Sequence, residues 1–135
     1  IGGYAGGAMT AVTKVWVEGW TQLAHSYALV NEYQLSVLSR DRRLQVFHRE
    51  GPIYDPAWRK VPSVVPAAVR AINAAIPPWP AAEAADVLYR IGFPGQMYAA
   101  APRTLVFGTR EYHGGEPDWV GRDGRRESAA PEARR

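Results

Sequence analysis

The side chains able to do chemistry in this sequence stand just beyond runs of strand-forming residues. Glu18-Gly19 closes the run Val12-Thr13-Lys14-Val15-Trp16-Val17, and His48-Arg49 closes Leu44-Gln45-Val46-Phe47. Arg90 lies near the end of Ala85–Ile91, and Gly108 to Glu111 follows Thr104-Leu105-Val106-Phe107. In an open parallel α/β sheet, ligands collect beyond the carboxyl ends of the strands. That rule selects four loops: 18–25, 48–54, 90–93 and 108–111. Glu18 is a carboxylate at a strand end, the type of group that serves as a general base; the competing reading bonds it to loop amides. Gly19 either lets the backbone approach a ligand or makes an ordinary tight turn. His25 and Ser26 precede a helical pattern, where unpaired amides favour anionic or polar groups. They are ligand contacts or helix-start residues facing solvent. Asn31 falls within the apolar sector of the same helix and either points to the cleft or bonds a neighbouring loop. Arg49 and Arg90 suit bidentate contacts with phosphate or carboxylate, or inter-loop ion pairs. Trp20, Tyr54, Trp58 and Phe93 either stack on a ligand ring or plug the core.

Several chemistries have no residues to carry them. There is no G-x-G-x-x-G after the first strand and no P-loop, so the sequence does not support a dinucleotide or nucleoside triphosphate site. The histidines at 25, 48 and 113 lack metal-ligand spacing, and no G-x-S-x-G elbow is present. With no Cys, there is no disulfide, thiolate metal site or Cys nucleophile. No cofactor and no metal are expected. The absence of Cys fits a reducing compartment, and a cytoplasmic location is the expectation.

The elements that must position these residues follow from pattern. Val12–Val17 is β-branched and aromatic and predicts a strand, which the Gly19 turn ends. Ser26 is expected as the N-cap of a helix from Tyr27 to about Ser39. Tyr27, Val30, Tyr33, Leu35, Val37 and Leu38 form its wide apolar face, with Glu32, Ser36 and Ser39 opposite. Asn31 and Gln34 lie inside the apolar sector, so each needs a partner. Leu44–His48 predicts a second strand, at a spacing that makes it the parallel neighbour of the first in a βαβ unit. A short helix is expected over Ala67–Ala75, with Pro66 near its start. Strands are expected at Ala85–Ile91 and Thr104–Phe107.

The 135 residues suffice for one domain. A hydrophobic fraction of 47% with 21% charged residues is a globular composition. No run approaches the roughly 18 apolar residues of a membrane span. Residues 1–11 read as a Gly-rich leader without signal-peptide character, with Met9 as the expected true start if the chain is not a fragment. Residues 12–112 read as the domain. Residues 113–135 read as a disordered or foreign basic tail. The net charge of +3 owes much to Arg122, Arg125, Arg126, Arg134 and Arg135. A charge excess gathered in a tail, without aromatic and basic residues interleaved, points to a solvated tail rather than a nucleic-acid partner.

The run Val15-Trp16-Val17-Glu18-Gly19, followed by His25-Ser26-Tyr27-Ala28-Leu29-Val30-Asn31, resembles the first strand, loop and helix of GT-B glycosyltransferases of the group-1 type. Asp86–Ile91 with Phe93-Pro94, and Thr104 to Tyr112, resemble later strands of the same N-terminal domain. The similarity spans about residues 12–112 in matching order and includes no diagnostic catalytic motif. It implies a Rossmann-like parallel sheet with flanking helices that holds the acceptor, partnered by a second domain that binds a nucleotide sugar. It also implies that this chain is a fragment or a truncated or frame-shifted product, inactive alone. Under the resemblance Gly19, His25, Ser26, Asn31 and Arg90 become the expected substrate-binding residues, and no catalytic residue is assigned. Glu18 is set aside as a nucleophile, because retaining enzymes of that group do not rely on a carboxylate of this domain. The competing reading is a stand-alone small α/β binding or regulatory module, which predicts a complete five-stranded sheet.

Overall fold

A computed structural model describes residues 11–92, 95–96, 100–108, 119–120 and 126–127. The expected leader at 1–11 lies, except for Ala11, outside the described residues. So do Phe93, Pro94 and most of the expected tail.

The chain forms β1 (Thr13–Gly19), α1 (Ser26–Ser39), β2 (Leu44–Arg49), α2 (Ala67–Ala74), β3 (Val87–Ile91), β4 (Gly95–Gln96), β5 (Arg103–Phe107), β6 (Trp119–Val120) and β7 (Arg126–Glu127). The main sheet has four strands in the order β2-β1-β3-β5, all parallel. With its flanking helices this is a Rossmann-like α/β fold. A second small sheet joins β4 to β6 in parallel and β6 to β7 antiparallel. The strand order reverses between β1 and β3, so the switch point, where such sheets take their ligands, lies between the ends of these two strands.

Central position explains β1. Val15 and Val17 pack with Val46 of β2 and Leu35 of α1 on one face. On the other face Trp16 packs on Trp79, with ring centroids 4.8 Å apart. A strand covered on both sides reads as a nearly continuous apolar run. The segment after α2 passes along the β2 edge, where Pro77 accepts from the His48 amide at 3.0 Å.

Two expectations about α1 are corrected. Its N-cap is His25, not Ser26: His25 has an extended backbone (φ −157°, ψ 152°), and its ring accepts the Tyr27 amide. Ser26 is the first helical residue and is exposed. The buried face is also not the one expected. Ala28, Asn31, Glu32, Leu35 and Ser36 are buried, while Tyr33 and Val37 are exposed. The reason is that α1 packs against two layers, the sheet below and α2 beside it. Small residues on the inward stripe permit the close approach, and Asn73 of α2 donates to the Glu32 carbonyl at 2.8 Å. Ser36 satisfies its hydroxyl locally on the Tyr33 carbonyl at 2.9 Å. Gln34 finds its partner in the Tyr89 hydroxyl at 2.6 Å.

Candidate functional site

The switch-point crevice is built from Gly19, and Gly19 is dictated by packing. A Cβ there would overlap the Ile91 side chain of β3 and lie 2.7 Å from Asn31 Cγ of α1. Glycine therefore lets strand and helix close on each other. Its carbonyl accepts from the His48 ring at 2.9 Å and from the Gly51 amide at 3.2 Å.

The next residue fills the crevice. Trp20 is 2% exposed, and its indole donates to the Pro52 carbonyl at 2.9 Å. Gly51 and Gly92 flank it so closely that a Cβ on either would come within 2.9 Å and 3.2 Å of the ring. Its ring meets those of His25, Tyr27, Tyr54 and Trp58 edge-on. Asn31, 0% exposed, donates to the Trp20 carbonyl at 2.9 Å and so fixes the loop to the helix. Trp20 is thus a core plug at the point where a dinucleotide-binding sheet keeps an opening.

Glu18 is held by arginines rather than by loop amides. It is 5% exposed, accepts from Arg49 Nε at 3.0 Å, and lies 3.4 Å from Arg90 Nε. Arg49 also lies over the Trp79 ring, 3.8 Å from its centroid. Arg90 is itself buried at 4% exposure. Glu18 and Arg90 border a narrow cleft of only about 20 Å³ beside Trp20 and Gly92.

His25 belongs to the aromatic cluster, between Trp20 and Trp58, with its Nδ1 3.2 Å from the Tyr27 amide. Partial burial pushes its pKa below the usual 6.5. A neutral ring retains the lone pair that the cap uses.

A different opening lies beside the plug, between α1, α2 and the end of β2. It encloses about 320 Å³ and is lined by Thr21, Gln22, Glu32, Leu35, His48, Ser63, Arg70, Asn73 and Ala74. That is within the size range of small-molecule pockets, ~300–1,000 Å³. Seven of its nine lining residues carry polar side chains, set in a wall whose surface is otherwise apolar. The loop at its rim is held in an unfavourable backbone: Gln22 has φ 53°, in the left-handed region. Surrounding bonds impose this. The Val61 amide donates to the Gln22 carbonyl at 2.8 Å, Lys60 to the Thr21 carbonyl at 2.5 Å, and the Thr21 amide to Glu50 at 3.1 Å. Backbone strain of this kind persists only where the surroundings over-determine it, and it gathers at ligand sites.

Within this wall Glu32 is 6% exposed, and among the described residues no hydrogen bond or ion pair reaches its carboxylate. Arg70 lines the same cavity but donates to the Val65 carbonyl at 2.7 Å. Asn73 Oδ1 is also buried without a donor.

Gly19, Asn31 and Arg90 come together around Trp20 and Glu18, and His25 joins the same cluster from the helix start. Ser26 stands apart. None of the five lines the larger cavity. His48, in one of the selected loops, does. Sequence reasoning missed Glu32, because the helical pattern placed it on the solvent side. The available signal was its position one residue after Asn31, within reach of any second layer packed on α1. Among the described residues no group of three or more His, Asp or Glu is placed to hold a metal ion, and no helix is long and apolar enough to cross a membrane. Compared with models of known protein families, with curated proteins and with solved structures, the chain matches none.

Proposed function

We propose that this chain is the acceptor-binding half of a glycosyltransferase of the group-1 GT-B type, acting in the cytoplasm, with the acceptor seated in the cavity between α1, α2 and β2. The observation that carries the reading is a strained, over-determined loop at the rim of a cavity lined mostly by polar residues, beyond the carboxyl end of a parallel sheet. Thr21, Ser63, His48 and Asn73 offer a mixture of donor and acceptor groups, the complement of a polyhydroxylated molecule. The Trp20 plug supports the acceptor side rather than the donor side, since it occupies the crevice a nucleotide would use. The nucleotide sugar then belongs to a separate domain. Transfer requires both substrates held together in register, so this chain alone binds without turning over.

The test is an amide NMR titration of the full chain with a neutral hexose and, separately, with a nucleotide sugar. The reading expects the hexose to shift the amides of Thr21, Gln22, His48 and Ser63. It expects no saturable shift at Trp20, Gly51 or Gly92 with the nucleotide sugar. Nucleotide binding at Trp20, or sugar transfer by the chain alone, would overturn it.

A further inference from the structure

We infer that the cavity selects an acceptor bearing a primary ammonium, an amino sugar in chemical class, and that Glu32 is the residue that reads the charge. The inference rests on the acceptor-binding reading above and adds to it the substrate class.

A carboxylate removed from water is costly unless it is paired, and buried Glu is otherwise rare. Glu18 obeys the rule, with two arginines beside it. Glu32 is a residue buried to the same extent, but its carboxylate has no protein partner among the described residues and opens onto the cavity. Its cavity contains a guanidinium, Arg70, but no ion pair joins the two.

Asn73 Nδ2 is committed to the Glu32 carbonyl, and its Oδ1 is enclosed by protein, so its amide shapes the wall without offering the cavity a free acceptor. His48 lines the same cavity with its Nε2 held 2.9 Å from the Gly19 carbonyl. A carboxylate in the wall that no protein group pairs is complementary to a ligand that brings hydrogen-bond donors and a positive charge. A primary ammonium supplies both, with three N–H donors on one cationic nitrogen. The neutral hydroxyls of the same ligand suit Thr21 and Ser63. A metal cation is a poorer match, because Glu32 is not part of any group of three or more ligating side chains among the described residues.

Calorimetric titration of the full chain separates the possibilities with four probes: glucosamine, glucose, N-acetylglucosamine and ethanolamine. Glucosamine is expected to bind about tenfold or more tightly than glucose, the range of a charge-assisted hydrogen bond. N-acetylation removes the charge and should reduce affinity to the glucose level. The Glu32→Gln variant, with its unfolding midpoint checked, should lose the preference for glucosamine over glucose. Equal binding of glucose and glucosamine, or a preference that survives in Glu32→Gln, would overturn the inference and leave the acceptor-binding reading standing. Ethanolamine binding as tightly as glucosamine would overturn the sugar reading and leave the ammonium site. Failure of all four probes to bind would overturn both.

Discussion

Glu18 and Glu32 are buried to nearly the same degree, 5% and 6% exposed, in two regions that treat a carboxylate in opposite ways. Around Glu18 the fold has closed. Arg49 and Arg90 bracket it, Trp20 fills the adjoining crevice, and Gly19, Gly51 and Gly92 are shaped to the plug. Around Glu32 the fold has stayed open, with a cavity, a strained loop at its rim and a carboxylate that no protein group pairs among the described residues. Position beyond the strand ends marks a neighbourhood, while a cavity-facing carboxylate without a protein partner marks the site. Glu18 has the better address in a Rossmann-like sheet; Glu32 has the chemistry left over.

The largest expected effect comes from breaking the closed region. Glu18→Gln leaves Arg90 buried beside an uncharged amide, and loss of one partner of a buried pair costs about 3 kcal/mol or more. Urea denaturation should show that loss; a change below about 1 kcal/mol would mean that the arginines relax into solvent and that the contrast with Glu32 is weaker than drawn.

Gly19→Ala tests whether the glycine serves packing. Its Cβ has no room between Ile91 and Asn31, and overpacking of this kind costs about 1–3 kcal/mol. If packing is the cause, Gly19→Ala combined with Asn31→Ala should recover part of that loss in a double-mutant cycle. Strict additivity would remove Asn31 from the explanation.

A smaller effect is expected at His25. Its folded pKa lies below 6.5 because of burial, so protonation favours the unfolded chain. The contribution of the neutral cap is complete above 6.5 and is lost as pH falls through the folded value. It amounts to about 1 kcal/mol, the usual worth of an N-cap. His25→Asn keeps a capping acceptor and removes the titration, so its stability should decline less between pH 7 and 5 than that of the parent chain. An identical decline would assign the acid sensitivity elsewhere.

Much of the fold was legible in the sequence because β-branched runs, Gly turns and the βαβ spacing all agree. The four main strands, their parallel sense and both helices follow from these signals. The facing of α1 did not, because an amphipathic pattern assumes one apolar contact surface and α1 has two. Its inward stripe mixes Ala28 and Leu35 with Asn31, Glu32 and Ser36, while Tyr33 and Val37 border an apolar groove with Val87, Tyr89 and Leu105. The N-cap was misassigned because Ser outranks His as a capping side chain; the extended backbone at His25 decided it. The plug was legible only as an alternative for Trp20, since an aromatic residue after a strand-ending Gly serves a ligand or a core equally well. His48 was reachable from its loop. The cavity itself depends on α2 docking beside α1, a long-range contact that local pattern does not carry.

The most direct test of the account is the unfolding free energy of Glu32→Gln relative to the parent chain, measured without ligand at pH 7. If the carboxylate is kept for a ligand rather than for folding, removing its charge takes no stabilising contact from the fold, and the variant should be at least as stable as the parent. A loss of stability would give Glu32 a structural partner and contradict the claim that this region of the fold was left open for a ligand.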